Sequence, residues 1–345
     1  MNIKKIQDAD VENKKVLLRV DFNVSLENED AKENFKIEAV KETLEYLLQK
    51  KAKVAMVCHL GRPDGKVVLE FSLSQLRDDA ERILGSKIIF IDDCVGKKVR
   101  SGLENLKDGE KLLLENVRFY PGEESNDAEF AKQLAENFDI FINDAFSVCH
   151  RDQASVTGVT KFLPSFAGFR LQKEIENMEK LENNPVCPIV AIIGGAKIET
   201  KLPIIKFFEK KCGNVLVGGK VANEALDEKI VFGSHVIFPE DYVDDRMDIG
   251  PKTREKFRAI IKRAGMIVWN GPMGKFEEEK YAGGTQAILD AILASRAYSF
   301  VGGGETLEIL EKNNAMDKIS FVSTGGGAML EYLGGGKMPG IDALR

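Results

Sequence analysis

The chain has 345 residues, 43% of them hydrophobic and 30% charged, with a formal net charge of −6. That is enough chain for two domains with cores of their own, and the acidic balance excludes a general nucleic-acid-binding surface, so an anionic substrate must be met by a local basic patch. No apolar run approaches the roughly 18 residues of a membrane helix, and the start, MNIKKIQDADVENKK, has no apolar signal core, so a cytoplasmic protein without membrane contact is expected.

Short apolar strand, turn and amphipathic helix alternate along the whole chain. The strands of the first half read as Val16–Val20, Val54–Cys58, Ile88–Ile91, Lys111–Leu114 and Ile140–Ile142; those of the second as Ile189–Ile193, Val215–Val217, Met266–Trp269, Ser299–Val301 and Ile319–Val322. Helical spacing covers Ile37–Lys50, Ser74–Leu84, Ala128–Phe138 and Thr285–Ala294, among others. Strands alternating with helices imply parallel sheets with right-handed crossovers, and about ten strands divide five and five. The expected fold is therefore α/β: two doubly wound, Rossmann-like parallel-sheet domains joined by a hinge helix. The boundaries read as 1–169, a linking helix at 170–182 with Leu171, Ile175, Met178 and Leu181 on one stripe, 183–328, and a glycine-rich tail at 329–345 that returns to the interdomain region. Five cysteines (Cys58, Cys94, Cys149, Cys187, Cys212) form no CxxC pair and read as reduced packing residues; three histidines without ligand spacing argue against structural zinc.

Ligands of open α/β sheets bind beyond the carboxyl ends of the strands, and the two halves end their strands differently. The first half runs into Asp21 and Asn23, His59 and Arg62, Arg118, and then His150 and Arg151. One arginine after a strand is ordinarily a solvated side chain; three on one rim point to a small, multiply charged anion, because the guanidinium fork suits carboxylate and phosphate. The second half ends its strands in glycine, at Gly194-Gly195, Gly218-Gly219, Gly271, Gly302-Gly303-Gly304 and Gly325-Gly326-Gly327. Glycines there let backbone amides approach a phosphate. In AIIGGAKIETK, Lys197 and Lys201 lie four apart at a helix start, where they would add point charges to that cradle; the stretch reads equally as a turn with two solvated lysines. Glu305 and Thr306 would orient magnesium, or Glu305 is simply an acid in a first helical turn. There is no GxxxxGK[ST] and no GxGxxG, so the cradle suits a mononucleotide. A phosphorylated acid on one lobe and a nucleotide on the other imply phosphoryl transfer, with water excluded by closure.

At Val20-Asp21-Phe22-Asn23, His59-Leu60-Gly61-Arg62-Pro63, Glu115-Asn116-Val117-Arg118-Phe119, Asn143-Asp144-Ala145-Phe146, Gly194-Gly195-Ala196-Lys197, Trp269-Asn270-Gly271-Pro272-Met273-Gly274 and Ser323-Thr324-Gly325-Gly326-Gly327-Ala328, the sequence resembles phosphoglycerate kinases, in their order and over essentially the whole chain. The resemblance implies reversible transfer between 1,3-bisphosphoglycerate with ADP and 3-phosphoglycerate with ATP, a glycolytic reaction, in a hinge-bending monomer using Mg2+ with ATP or ADP. It implies that Asp21, Asn23, Lys36, His59, Arg62, Arg118 and Arg151 hold 3-phosphoglycerate. Lys197 and Lys201 would serve the nucleotide phosphates, Lys201 also the transferred group, and Glu277 the ribose. Gly303, Gly304, Glu305 and Thr306 would meet phosphates and magnesium, with Glu305 its protein ligand, and Gly325, Gly326 and Gly327 the phosphoryl in flight.

Four positions depart from the family pattern. Lys36 stands where an arginine is expected, which keeps charge and loses the bidentate fork; one fewer hydrogen bond to a transition-state oxygen costs about 3 kcal/mol. Glu305 replaces an aspartate, and Gln153 stands where many members have histidine. The stretch between Asn223 and Asp248 is short, as if a helix and part of a strand beside the nucleotide lobe were missing, so Ile230–Phe238 must cover that sheet edge or leave it exposed. Two other readings compete with an active kinase: a descendant that binds phosphoglycerate or nucleotide with little or no turnover, and a kinase for another phosphorylated carboxylate.

Overall fold

A computed structural model describes residues 2–345 apart from Ser25, Asn28, Glu29, Lys32, Glu33 and Cys212, so the reading of Cys212 lies outside the described residues. The chain separates into two compact units, Met1–Glu176 with Lys337–Arg345, and Asn177–Gly336. The division falls within a single helix, Phe169–Asn183.

The first unit is built on a parallel sheet of β1 (Lys15–Arg19), β2 (Lys53–Val57), β3 (Ile88–Ile91), β4 (Lys111–Leu114), β5 (Ile140–Asn143) and β6 (Ser165–Ala167), in the spatial order β3-β4-β2-β1-β5-β6. Its strands are apolar almost throughout because helices cover both faces. Val16, Leu18, Val54, Met56, Ile140 and Ile142 pack into one core, while Leu17, Ala55, Val57, Leu112, Leu114 and Phe141 pack into the other. Strand order reverses between β1 and β5, which places the residues after β1 beside those after β5, at the position where such sheets bind ligands.

The second unit repeats the architecture with β7 (Ile189–Ile193), β8 (Gly213–Val217), β9 (Val236–Ile237), β10 (Met266–Asn270), β11 (Tyr298–Gly302) and β12 (Phe321–Ser323), all parallel and ordered β9-β8-β7-β10-β11-β12. Its reversal lies between β7 and β10, which juxtaposes Gly194-Gly195 with Gly271.

Each sheet thus has six strands rather than the expected five. The additional ones, β6 and β9, have three and two residues, too few for a periodic signal. β9 is the edge strand inside the short stretch after Asn223, and it pairs with β8 at Val215↔Val236 and Leu216↔Ile237. The expected helix Ile37–Lys50 is two helices, Asn34–Glu38 and Lys41–Gln49, separated by a tight turn in which Val40 N–H donates to Ile37 O at 3.4 Å. The cysteine expectation fails at Cys187, which is disulfide-bonded, while Cys58, Cys94 and Cys149 are free. Pairing depends on spatial approach rather than on sequence spacing, so the missing CxxC gives no notice of it. The tail forms a short helix, Pro339–Asp342, on the first unit, where Gly340 N–H donates to Cys149 O at 2.9 Å and Leu344 O accepts from Lys4 N–H at 2.8 Å.

Candidate active site

On the first unit the expected residues converge through the backbone that follows each strand. Past β1, Asp21 Oδ1 accepts from Asn23 N–H at 3.1 Å, and Asn23 Oδ1 accepts from Gly61 N–H at 3.0 Å, which ties the β1 and β2 turns together. Lys36 reaches the same turn, its Nζ donating to Asn23 O at 2.9 Å. Arg118, buried past β4, donates from Nη1 to Gly61 O at 2.7 Å, and its Nε lies 3.3 Å from Glu124 Oε1. Past β5, Arg151 donates from Nε to His150 Nε2 at 3.3 Å. Its guanidinium is held below its ordinary pKa first by burial, then by the charges of Arg62 and Arg19. The rim therefore gathers Asp21, Asn23, Lys36, His59, Arg62, Arg118 and Arg151, and its cations repel one another.

His59 is buried, and its imidazole is held well below its usual pKa, chiefly by burial and then by Arg19, Arg151 and Lys36. Its Nδ1 lies 3.2 Å from Nη2 of Arg19. Arg19 is absent from the residues expected on this rim. It is the last residue of β1, fully buried, and it donates from Nε to Ser155 Oγ at 3.0 Å and from Nη1 to Val20 O at 2.6 Å. Behind it, the buried carboxylate of Glu123 accepts from Ser155 Oγ at 2.6 Å and from Ser155 N–H at 2.9 Å. The sequence does carry a signal for it: a charged side chain in an otherwise apolar strand buried on both faces has to be paired.

On the second unit, helices begin at strand ends. The helix Ile198–Glu209 follows Lys197, whose backbone has φ +67°, in the left-handed region that a lysine rarely adopts, a local strain of the kind found at ligand sites. Its first amide, Ile198 N–H, donates to Glu224 Oε2 at 2.7 Å, so this helix start is capped by a carboxylate. Lys201, one turn on, donates to Asn270 Oδ1, and Asn270 Nδ2 donates to Gly302 O at 2.7 Å, which fixes which way that amide faces. Burial lowers the Lys201 ammonium to about 8, with Glu305 pulling the other way. The helices Gly304–Lys312 and Gly326–Leu333 start at the two triple-glycine loops, and a Cβ on Gly326 would lie 2.7 Å from Gly303 Cα. Thr306 is buried, its Oγ1 accepting from Gly271 N–H at 2.8 Å, so it braces the cradle rather than facing solvent. Glu305 lies against Gly195, and its carboxyl is raised chiefly by burial against the pull of Lys201. Glu277 is exposed and acts on Glu305 by charge. Among the described residues no three His, Cys, Asp or Glu side chains form a metal cage. A single carboxylate, Glu305, beside glycine-rich helix starts fits a magnesium ion carried on a nucleotide.

Two α/β units, one with a rim of converging cations and the other with helix starts and lysines arranged for phosphates, define a phosphotransferase. A family model described as phosphoglycerate kinase matches residues 6–244 and 228–336. The phosphoglycerate kinase of Moorella thermoacetica is 40% identical over 385 positions that span 98% of each chain. Solved phosphoglycerate kinases from Coxiella burnetii (33% identical, TM-score 0.81, 99% of each chain) and Pyrococcus horikoshii (30% identical, TM-score 0.89, 99% of this chain and 98% of that one) share the fold. The chain belongs to the phosphoglycerate kinase family, whose glycolytic reaction is a phosphoryl transfer. The family match breaks and resumes within 228–244, where β9 forms the short sheet edge.

Proposed function

We propose that this chain catalyses reversible phosphoryl transfer between 1,3-bisphosphoglycerate with ADP and 3-phosphoglycerate with ATP. The observation that carries the reading is the hydrogen-bonded rim of Asp21, Asn23, Lys36 and Arg118 around Gly61, with His59, Arg62 and Arg151 beside it. The arginines bind the carboxylate and phosphate of the acid, and Asp21 and Asn23 set the turns that aim them. Lys36 supplies charge to the phosphoryl oxygens without a fork. On the second unit, Lys197, Lys201 and the amides of Gly303 and Gly304 meet the nucleotide phosphates, the amides of Gly325 to Gly327 meet the phosphoryl in flight, and Glu277 takes the ribose hydroxyls. Glu305 would hold Mg2+ on the nucleotide, where the ion neutralises phosphate charge. Transfer requires the units to close about the helix Phe169–Asn183 and exclude water. The protein acts as a cytoplasmic monomer.

The test is titration calorimetry with 3-phosphoglycerate and with Mg-ATP, beside a coupled assay of turnover. Binding of both ligands with turnover is expected. Arg62→Ala should weaken phosphoglycerate binding by tenfold or more, the scale of one charge-assisted hydrogen bond, while leaving nucleotide binding unchanged. Binding of both ligands without turnover would favour the binding descendant, which the Lys36 substitution and the short 223–248 stretch motivate. A different phosphorylated acid outcompeting 3-phosphoglycerate would change the substrate.

A further inference from the structure

The Arg19–His59 contact has a chemical consequence beyond the substrate reading. A guanidinium has N–H donors and no acceptor, so the imidazole nitrogen facing Arg19 Nη2 at 3.2 Å must accept. That nitrogen is Nδ1, and an imidazole accepting there carries its proton on Nε2. Protonating the ring would set an N–H against an N–H inside the protein. Arg19 cannot turn away to relieve that. It is fully buried, with Nε on Ser155 and Nη1 on Val20 O, and Ser155 is itself bound twice to buried Glu123. Among the described residues nothing pairs with His59 Nε2, and that atom is not sealed off. His150 is the reverse case: its Nε2 accepts from Arg151, which leaves its proton on Nδ1.

We propose that Arg19 is a positioning residue that locks His59 as the neutral Nε2–H tautomer, so that this rim offers the phosphorylated acid a fixed neutral N–H donor. The proposal rests on the reading that His59 faces the substrate. Arg19 has no exposed surface and acts through the imidazole rather than on the ligand. The positive charge of the rim then resides on Arg62, Arg118, Arg151 and Lys36. The groups facing His59 by charge are Arg19, Arg151 and Lys36, all cations, so every neighbour opposes an imidazolium.

The chain has three histidines, which makes the state of each ring readable. Full-length protein labelled with 15N-histidine would be followed by long-range proton–nitrogen correlation from pH 8 to about 5.5, with His59→Gln identifying the ring. The expected result is an unprotonated Nδ1 and a protonated Nε2 that do not titrate. A His59 ring titrating near the ordinary value of about 6.5, or carrying its proton on Nδ1, overturns the proposal. Adding 3-phosphoglycerate should shift the Nε2 signal. If the tautomer is as proposed and that signal stays still, the Arg19 assignment stands and the substrate reading of His59 fails. Arg19→Met removes the donor that Nδ1 accepts from while burial, Arg151 and Lys36 remain, so its His59 ring should lose the single Nε2–H form and show a mixture of tautomers, while Arg19→Lys, which retains a donor, should restore the single form. An unchanged Nε2–H ring in a folded Arg19→Met variant also overturns the proposal; if that variant does not fold, the wild-type spectrum decides.

Discussion

At the residue scale, Lys201 is a site lysine whose ionisation the structure changes. Burial lowers its ammonium to about 8, so in the free enzyme it loses its charge as the pH rises through that value. The expected outcome is an alkaline limb of kcat/KM for nucleotide with an apparent pKa near 8, since kcat/KM reports the free enzyme. Lys201→Arg, which does not deprotonate, should remove the limb even where it lowers the rate. A wild-type profile flat to pH 9.5 would show that Lys201 stays charged. The residues legible in the sequence are those whose side-chain type announces a job at a strand end: Asp21, His59, the rim arginines and the lysines after Gly195. Ser155, Glu123 and Glu224 are not, because each acts through another group and its role exists only once the strands and helices are adjacent; Arg19 shows only as a charge in an apolar strand, without its partner.

At the element scale, turns and caps do the positioning. Gly271 joins β10 to the loop beside Gly194 with φ +92°, and a Cβ there would lie 2.4 Å from Gly194 O. Gly271→Ala therefore combines a strained backbone with a backbone clash, and a loss of about 1–3 kcal/mol is expected in denaturant unfolding. The helix Phe169–Asn183 starts on two tertiary caps, with Thr43 Oγ1 accepting from Phe169 N–H at 2.9 Å and Asp144 Oδ1 accepting from Leu171 N–H at 3.0 Å. Burial raises the Asp144 carboxyl from 3.8 to about 7, against the pull of Thr43, Leu171 and Arg170. The folded chain thus holds this proton more tightly than the unfolded chain. The associated stability is fully present below pH 3.8 and is lost as the pH rises toward 7. Melting curves of wild type beside Asp144→Asn should show wild type losing ground between pH 5 and 8, and a constant gap between them would contradict the assignment. The long strands and the linking helix are legible from apolar runs and helical spacing. β6, β9 and the break before Lys41 are not, because two or three residues carry no period and a tight turn inside a helical pattern has no composition of its own.

At the scale of the whole molecule, the two units have separate cores, and a single fluorescent reporter belongs to the second. Trp269, the single tryptophan, is fully buried on β10 and donates from Nε1 to Gly271 O at 2.9 Å, so its emission follows the second unit alone. If the units unfold as separate cooperative blocks, the fluorescence and far-ultraviolet circular dichroism transitions in denaturant should not coincide; superimposed curves would show that the chain unfolds as one. The two-unit α/β plan is readable from the alternation of strand and helix, and so is the contrast between arginine-ended and glycine-ended strands. The return of Lys337–Arg345 to the first unit is carried by single backbone contacts such as Gly340 N–H to Cys149 O, which no periodicity marks. The central claim is that this chain is a working kinase with lysine at position 36. The most direct test is steady-state ATP formation from 1,3-bisphosphoglycerate and Mg-ADP, wild type beside Lys36→Arg. The account predicts wild-type turnover within the ordinary kinase range of about 1–100 per second, with the arginine variant equal or faster. Folded wild-type protein that binds both substrates and forms no ATP above background would contradict it: recovery in Lys36→Arg would place the defect at that residue, and silence in both variants would mark a binding descendant.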